Sequence, residues 1–161
     1  PRYGSSAASD VYKRQLKKKP DILILEGWCV GARAEGSRSL NRPINVLEKN
    51  ADKKKIWRSY VNNQLKSKYS KLFDQLDSLL YLKAKNFKLL KRWRLKQEKK
   101  LKMKSGTKKN SKIMNEREVE TFMMTYQRIT QNMFKNAPKY SSAVIDLNEN
   151  HQIKKVKFKN A

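Results

Sequence analysis

The chain has 161 residues, enough for one domain with a real core, although only 38% of them are hydrophobic. Its formal net charge is +25, carried mostly by lysines spread along the whole length. A basic surface gathers phosphates by counterion release, but scattered lysine lacks the planar fork that reads base edges, so the charge argues for a Lys-rich solvated surface and against nucleic acid as the partner.

Cys29 is the only cysteine, so no internal disulfide can form, which fits a reducing, cytoplasmic setting. No run approaches the ~18 apolar residues that a membrane helix needs. Residues 1–15, PRYGSSAASDVYKRQ, show no hydrophobic period and are read as a non-native or disordered stretch apart from the domain at 16–161.

In chain order, residues 21–25 (DILIL) form an apolar run closed by Glu26-Gly27, the pattern of a strand buried on both faces of a sheet. Residues 31–55 hold Gly31, Gly36, Pro43 and many polar groups and read as a long loop. Residues 57–76 predict one helix, with Trp57, Tyr60, Val61, Leu65, Tyr69, Leu72, Phe73 and Leu76 as a core-facing stripe. Residues 78–82 (SLLYL) predict a second buried strand, 87–103 a second helix, and 104–112 a polar linker broken by Gly106. A third helix starts at Asn115, where Glu118 completes a capping-box-like pair, and is closed by Pro138. Residues 143–147 (AVIDL) predict a third strand, 148–150 a turn, and Ile153, Val156 and Phe158 a Lys-rich edge strand. Strands alternating with helices give an α/β class with a mostly parallel sheet.

Three groups could carry chemistry. Glu26 ends an apolar strand, and in an open α/β sheet ligands bind beyond the carboxyl ends of strands, where an acid can sit beside Mg²⁺. Arg92 and Arg94 point to different faces of their helix, so one can reach a phosphate while the other pairs with an acid such as Glu98. They stand in a segment, 83–112, with fourteen Lys or Arg and one acid. The loop offers Asn41, Asn45, Glu48, Asp52 and Arg58 as groups able to hold a small hydroxylated carboxylate, or to serve as ordinary loop polarity. His151, the only histidine, reads as a surface residue, and Cys29 as a small buried one.

These segments together resemble the D-glycerate 3-kinase family. DILILEGWCVGA resembles its Walker-B strand and following loop, RPINVLEKNADKKKIWRSYVNNQL its central loop and helix, LKAKNFKLLKRWRLKQEKKL its W-R-x-x-Q-E segment, and FMMTYQRIT its F-x-x-x-Y-x-R-x-T helix. The resemblance covers about residues 19–158. It implies the C-terminal part of a P-loop NTPase-type kinase domain, a three-layer αβα fold with a mostly parallel sheet whose N-terminal strand and P-loop are missing here. It also implies ATP and Mg²⁺ as cosubstrates and D-glycerate phosphorylated to 3-phosphoglycerate in the full-length parent. By the same carry-over Glu26 is the Walker B acid and the metal ligand, Arg92 and Arg94 lie in a lid closing over the phosphates, and Gly27, Trp28, Gly31, Asn45, Glu48 and Arg58 shape the acceptor site.

No G-x-x-x-x-G-K-[ST] occurs in the chain, so the isolated chain is expected to be inactive as a kinase and prone to poor solubility or oligomerisation. Two rivals stand beside this reading: a P-loop kinase with another hydroxyl acceptor, and a Lys-rich module binding RNA or a membrane surface.

Overall fold

A computed structural model describes residues 18–105 and 113–159. The N-terminal stretch 1–15 and most of the linker around Gly106 lie outside them. After a 3₁₀ turn at Ser37–Asn41, the elements are α1 (Val46–Ala51), α2 (Ile56–Lys66), α3 (Lys68–Phe73), β1 (Leu80–Lys83), α4 (Phe87–Ser105), α5 (Glu116–Tyr140), β2 (Ala143–Leu147) and β3 (Ile153–Phe158).

The described strands form one mixed sheet in the order β1-β2-β3. β1 and β2 are parallel, as expected of strands joined through helices. β2 and β3 are antiparallel, so the sheet is not mostly parallel. The reason is the connection: only five residues separate them, too few for a crossover, and they close a turn. The Asn148 side chain accepts from the backbone N–H of Asn150 and Gln152, and His151 takes a left-handed φ of 64°. β3 is an edge strand, as its lysines imply.

One face of the sheet is packed. Tyr81 and Val144 join Met133 and Ala137 of α5, Leu65 of α2 and Ala32 in a buried cluster. The cross-strand rows Leu80–Ala143–Phe158 and Leu82–Ile145–Val156 run on the other face, where Leu80 and Leu82 are 62% and 61% exposed. Among the described residues the architecture is therefore two layers, not the expected three.

Residues 21–25 correct the reading further. They form no strand, and Ile22, Leu23 and Ile24 are about 80% exposed. An apolar run becomes a buried strand only when neighbouring strands take its N–H and C=O groups and layers cover both faces. Among the described residues no strand pairs with it.

The long helix expected at 57–76 is two. It breaks at Ser67, whose hydroxyl donates back to the Asn63 carbonyl at 2.7 Å and whose ψ of −81° leaves the helical range. Its predicted stripe faces the core only in part: Leu65 is buried, but Trp57, Tyr60 and Tyr69 are exposed, and Arg58, outside the stripe, is buried. The loop at 31–55 contains α1, capped by Asn45, whose side-chain oxygen accepts from the Glu48 N–H at 2.9 Å. The capping box at Asn115 and Glu118 forms as read. Pro138 does not end α5, which runs on to Tyr140. So near the C-terminus the missing N–H removes a single helical bond, and both the N–H and the hydroxyl of Ser141 bond to the Ala137 carbonyl.

Gly31 is buried with φ +77°, and a Cβ there would lie 2.7 Å from Leu79 Cδ2. Gly31→Ala is expected to lower stability by ~2–3 kcal/mol, from a left-handed backbone that disfavours a side chain and from overpacking against Leu79. Urea unfolding measures it; a midpoint within error of the parent would show that the chain relaxes freely at this turn.

Candidate functional site

A cavity of about 410 Å³ opens between α1, α2 and α5, and its lining carries three arginines, Arg33, Arg58 and Arg128, and three carboxylates, Glu35, Glu48 and Asp52. Two of the arginines are tightly spoken for. Arg128, on α5, grips Glu48 with a two-pronged pair, Nε to Oε1 at 2.7 Å and Nη2 to Oε2 at 2.6 Å. Its Nη1 donates to Glu35 and to the Ser39 carbonyl, both at 3.2 Å, and Nη2 also reaches the Arg42 carbonyl at 2.8 Å. Glu48 in turn accepts from the Ile44 N–H at 3.1 Å. One guanidinium thus ties residues 35–48 onto α5.

Arg58 does the same for the far end of the loop. It donates to the Leu40 carbonyl at 2.7 Å, the Asp52 carbonyl at 2.6 Å and the Asp52 carboxylate at 3.0 Å. Asp52 also accepts from the N–H groups of Trp57 and Arg58, capping the start of α2. Asn45 completes the clamp through its amide, which donates to the Met124 carbonyl and the Gln127 side chain on α5.

Burial alone would push the Glu48 carboxyl up, but the Arg128 hydrogen bonds, the Ile44 N–H and the charges of Arg128 and Arg58 outweigh it and hold the group below its ordinary value. Asp52 likewise lies low: burial opposes ionisation, and the Trp57 and Arg58 N–H groups and the Arg58 charge override it. Arg128 is held above its ordinary value, chiefly by the Glu48 hydrogen bonds. Cys29 is pushed up to about 11 by burial and is an inert thiol at neutral pH.

The other predicted site residues lie around this cavity or away from it. Trp28 stacks on Tyr126 of α5, ring centroids 5.2 Å apart, and Gly27 and Gly31 shape the turns that carry it there. Gly31 borders a second, more polar cavity beside Tyr140 rather than the first. Glu26 is exposed in the irregular segment before Gly27. Arg92 is exposed and meets the equally exposed Glu149 at 2.8 Å. Arg94 pairs with the buried Glu98, which also accepts from the Met114 N–H, so Arg94 locks α4 to the start of α5. Both arginines therefore pair with acids, Arg92 at the surface and Arg94 with a buried one. Among the described residues no cluster of three or more His, Cys, Asp or Glu side chains could hold a metal.

Arg128 and Asn62 stand in the family-like motifs but carry no site role in the sequence reading, which misses Glu35, Asn132 and Arg33. The available signal was scarcity. With 14 acids against 39 basic residues, an acid that folds inward calls for an arginine partner.

No family model matches the chain. The uncharacterized kinase mug58 of Schizosaccharomyces pombe is 31% identical over 125 residues, covering 77% of this chain and 42% of that protein. The solved structure of a D-glycerate 3-kinase from Cryptococcus neoformans var. grubii superposes with a TM-score of 0.63 at 21% identity, covering 89% of this chain and 51% of that one. The α/β architecture is similar to part of that kinase's fold. The chain spans about half the length of the kinases it matches. Within that kinase fold, the arginine-carboxylate clamp and its cavity are the most organised polar feature among the described residues.

Breaking the clamp on one side is expected to cost ~3 kcal/mol or more, since Arg128 and Glu48 side chains are 11% and 12% exposed and the remaining charge is left buried. Arg128→Met and Glu48→Gln, compared by chemical denaturation, measure it, and a loss under 1 kcal/mol would make the clamp incidental. The sign with pH follows from the depressed Glu48 and Asp52 values: their contribution is complete above the ordinary carboxylate range and is lost as pH falls through their folded values. Thermal melts are expected to be flat near neutrality and to drop in acid, with a shallower drop in Glu48→Gln.

Proposed function

We propose that this chain is the acceptor-holding and lid-bearing part of an ATP- and Mg²⁺-dependent small-molecule kinase, and that the full-length parent phosphorylates D-glycerate to 3-phosphoglycerate. The observation carrying this reading is the kinase fold shared with a D-glycerate 3-kinase over 89% of the chain, together with the GWCVG and W-R-x-x-Q-E elements at residues 27–31 and 93–98.

Glu26 is the proposed Mg²⁺ carboxylate. Mg²⁺ keeps several waters and takes one or two carboxylates plus phosphate oxygens, so a single exposed acid fits it without a dedicated cage. The bound ion would neutralise charge on the transferring phosphoryl group. The sequence contains no glycine-rich phosphate cradle, so the triphosphate grip is assigned to a part of the longer parent that precedes this segment.

Of the two lid arginines, Arg92 is the proposed phosphate-facing one. An exposed pair such as Arg92–Glu149 is weak and easily exchanged, whereas Arg94 is committed to buried Glu98. Glu48 and Arg58 border the proposed acceptor cavity, Asn45 knits its floor to α5, Trp28 packs on Tyr126 of α5, and Gly27 and Gly31 turn the chain outside the cavity lining.

In a coupled assay with ATP and D-glycerate, the isolated chain is expected to run at background and the full-length parent to turn over. In that parent, Glu26→Gln is expected to lower kcat by ~10²-fold or more. Arg92→Ala is expected to slow turnover at unchanged melting temperature, while Arg94→Ala lowers stability. Robust turnover by the isolated chain, or an unimpaired Glu26→Gln parent, would sink the reading, and a screen of small hydroxy compounds tests the acceptor.

A further inference from the structure

Arg33 stands apart from the other two cavity arginines. Arg128 serves Glu48 and Glu35, and Arg58 serves Asp52, yet Arg33 has no carboxylate partner among the described residues. It is nevertheless held in place. Its guanidinium carbon lies 3.9 Å from the centroid of the Tyr140 ring. The Tyr140 hydroxyl donates to the Gly31 carbonyl at 2.9 Å, which fixes the ring under the arginine. The Arg33 backbone is anchored from α5 by the Asn132 amide, donating to its carbonyl at 2.7 Å. Two residues on, the Asn62 side chain accepts from the Glu35 N–H at 2.7 Å and donates to the Glu35 carbonyl at 3.1 Å. Both asparagines line the 410 Å³ cavity together with Arg33, which is exposed and also borders the second cavity, where Tyr140 lies.

We infer that Arg33 is the anion-binding group of the 410 Å³ cavity and takes the carboxylate of a small hydroxy acid there. A guanidinium packed over a ring spends no N–H group on that contact, and its edge matches a carboxylate in two parallel bonds. The charge balance selects the size of the anion. Three arginines and three carboxylates cancel around the cavity, so each added negative charge is uncompensated and a monoanion costs less than a phosphate dianion. Leu47, Val61, Leu65 and Ile129 give the rest of the wall an apolar character suited to a short carbon chain.

The assignment rests on the kinase reading only for the name of the acid. Isothermal titration of the 161-residue chain with D-glycerate, L-lactate, glycerol and inorganic phosphate tests it, with Arg33→Ala and Arg33→Lys alongside and melting temperatures as fold controls. Binding of D-glycerate that weakens by about 10- to 100-fold in Arg33→Ala, recovers in part in Arg33→Lys, and is absent for glycerol supports it. Arg33-dependent binding of L-lactate without D-glycerate supports the Arg33 assignment and removes glycerate from the proposed function. Binding of D-glycerate that Arg33→Ala leaves unchanged, equal binding of glycerol, tighter binding of phosphate than of either acid, or binding of no small carboxylate overturns it.

Discussion

The pairing of Arg128 with Glu48 and Glu35 is the interaction on which the rest of this chain depends. Residues 27–55 have little regular structure and little apolar content to bury, so hydrophobic packing cannot fix their path. A single guanidinium on α5 does so instead, by taking two carboxylates and two backbone carbonyls from positions 80 to 93 residues earlier. Because the loop carries the cavity lining, the site inherits its geometry from this clamp. Removing charges from water is costly, and such a pair is favourable here only because nearly every donor and acceptor in it has a partner.

The same economy governs how the two basic residue types are used. The buried or half-buried pairs in the core of the chain all involve arginine: Arg58 with Asp52, Arg128 with Glu48 and Glu35, Arg94 with Glu98. The lysine pairs, Lys91 with Glu120 and Lys83 with Asp146, are partly exposed and contribute little. A rigid fork loses less freedom per hydrogen bond than a flexible ammonium, so arginine does the internal tying and lysine coats the surface. The +25 charge is thus compatible with a precise interior, because its bulk lies outside the pairs that define the structure.

Much of the framework was legible in the sequence. The 3.6-residue period located α4 and α5, the Asn115–Glu118 box marked the start of α5, and β2 and β3 fall where AVIDL and the Lys-rich edge pattern put them. The misreadings have physical causes. The apolar run at 21–25 carries the pattern of a buried strand, but pattern supplies only the side chains, and pairing depends on neighbours that the run cannot specify. Trp57 and Tyr60 passed as core because apolar spacing is blind to which face a tertiary partner covers, and here Asp52 draws Arg58 inward. Asn45, Glu48 and Arg58 stand out in the sequence as candidate ligand-binding groups, and in the folded chain their polar atoms are largely satisfied by protein. The residue left with spare hydrogen-bonding capacity, Arg33, lies directly beyond the GWCVG turn and drew no notice, since nothing in a linear sequence distinguishes a committed arginine from a free one.

That contrast places the two proposed ends of the reaction under different mechanical control. On the acceptor side, Arg33 is backed by Tyr140, Asn132 and Asn62, and the cavity beneath it is closed by the Arg128 clamp, so a bound acid would meet groups already in position. On the phosphate side, Arg92 is held only by an exposed acid at the tip of the β2–β3 turn, and the Trp93 ring leans on His151 in that same turn. Positioning supplies most of the catalysis in phosphoryl transfer, but the nucleotide must also enter and leave. In the proposed kinase the clamped pocket would set the geometry of attack, and the weak Arg92–Glu149 pair would let the lid exchange one anion for another.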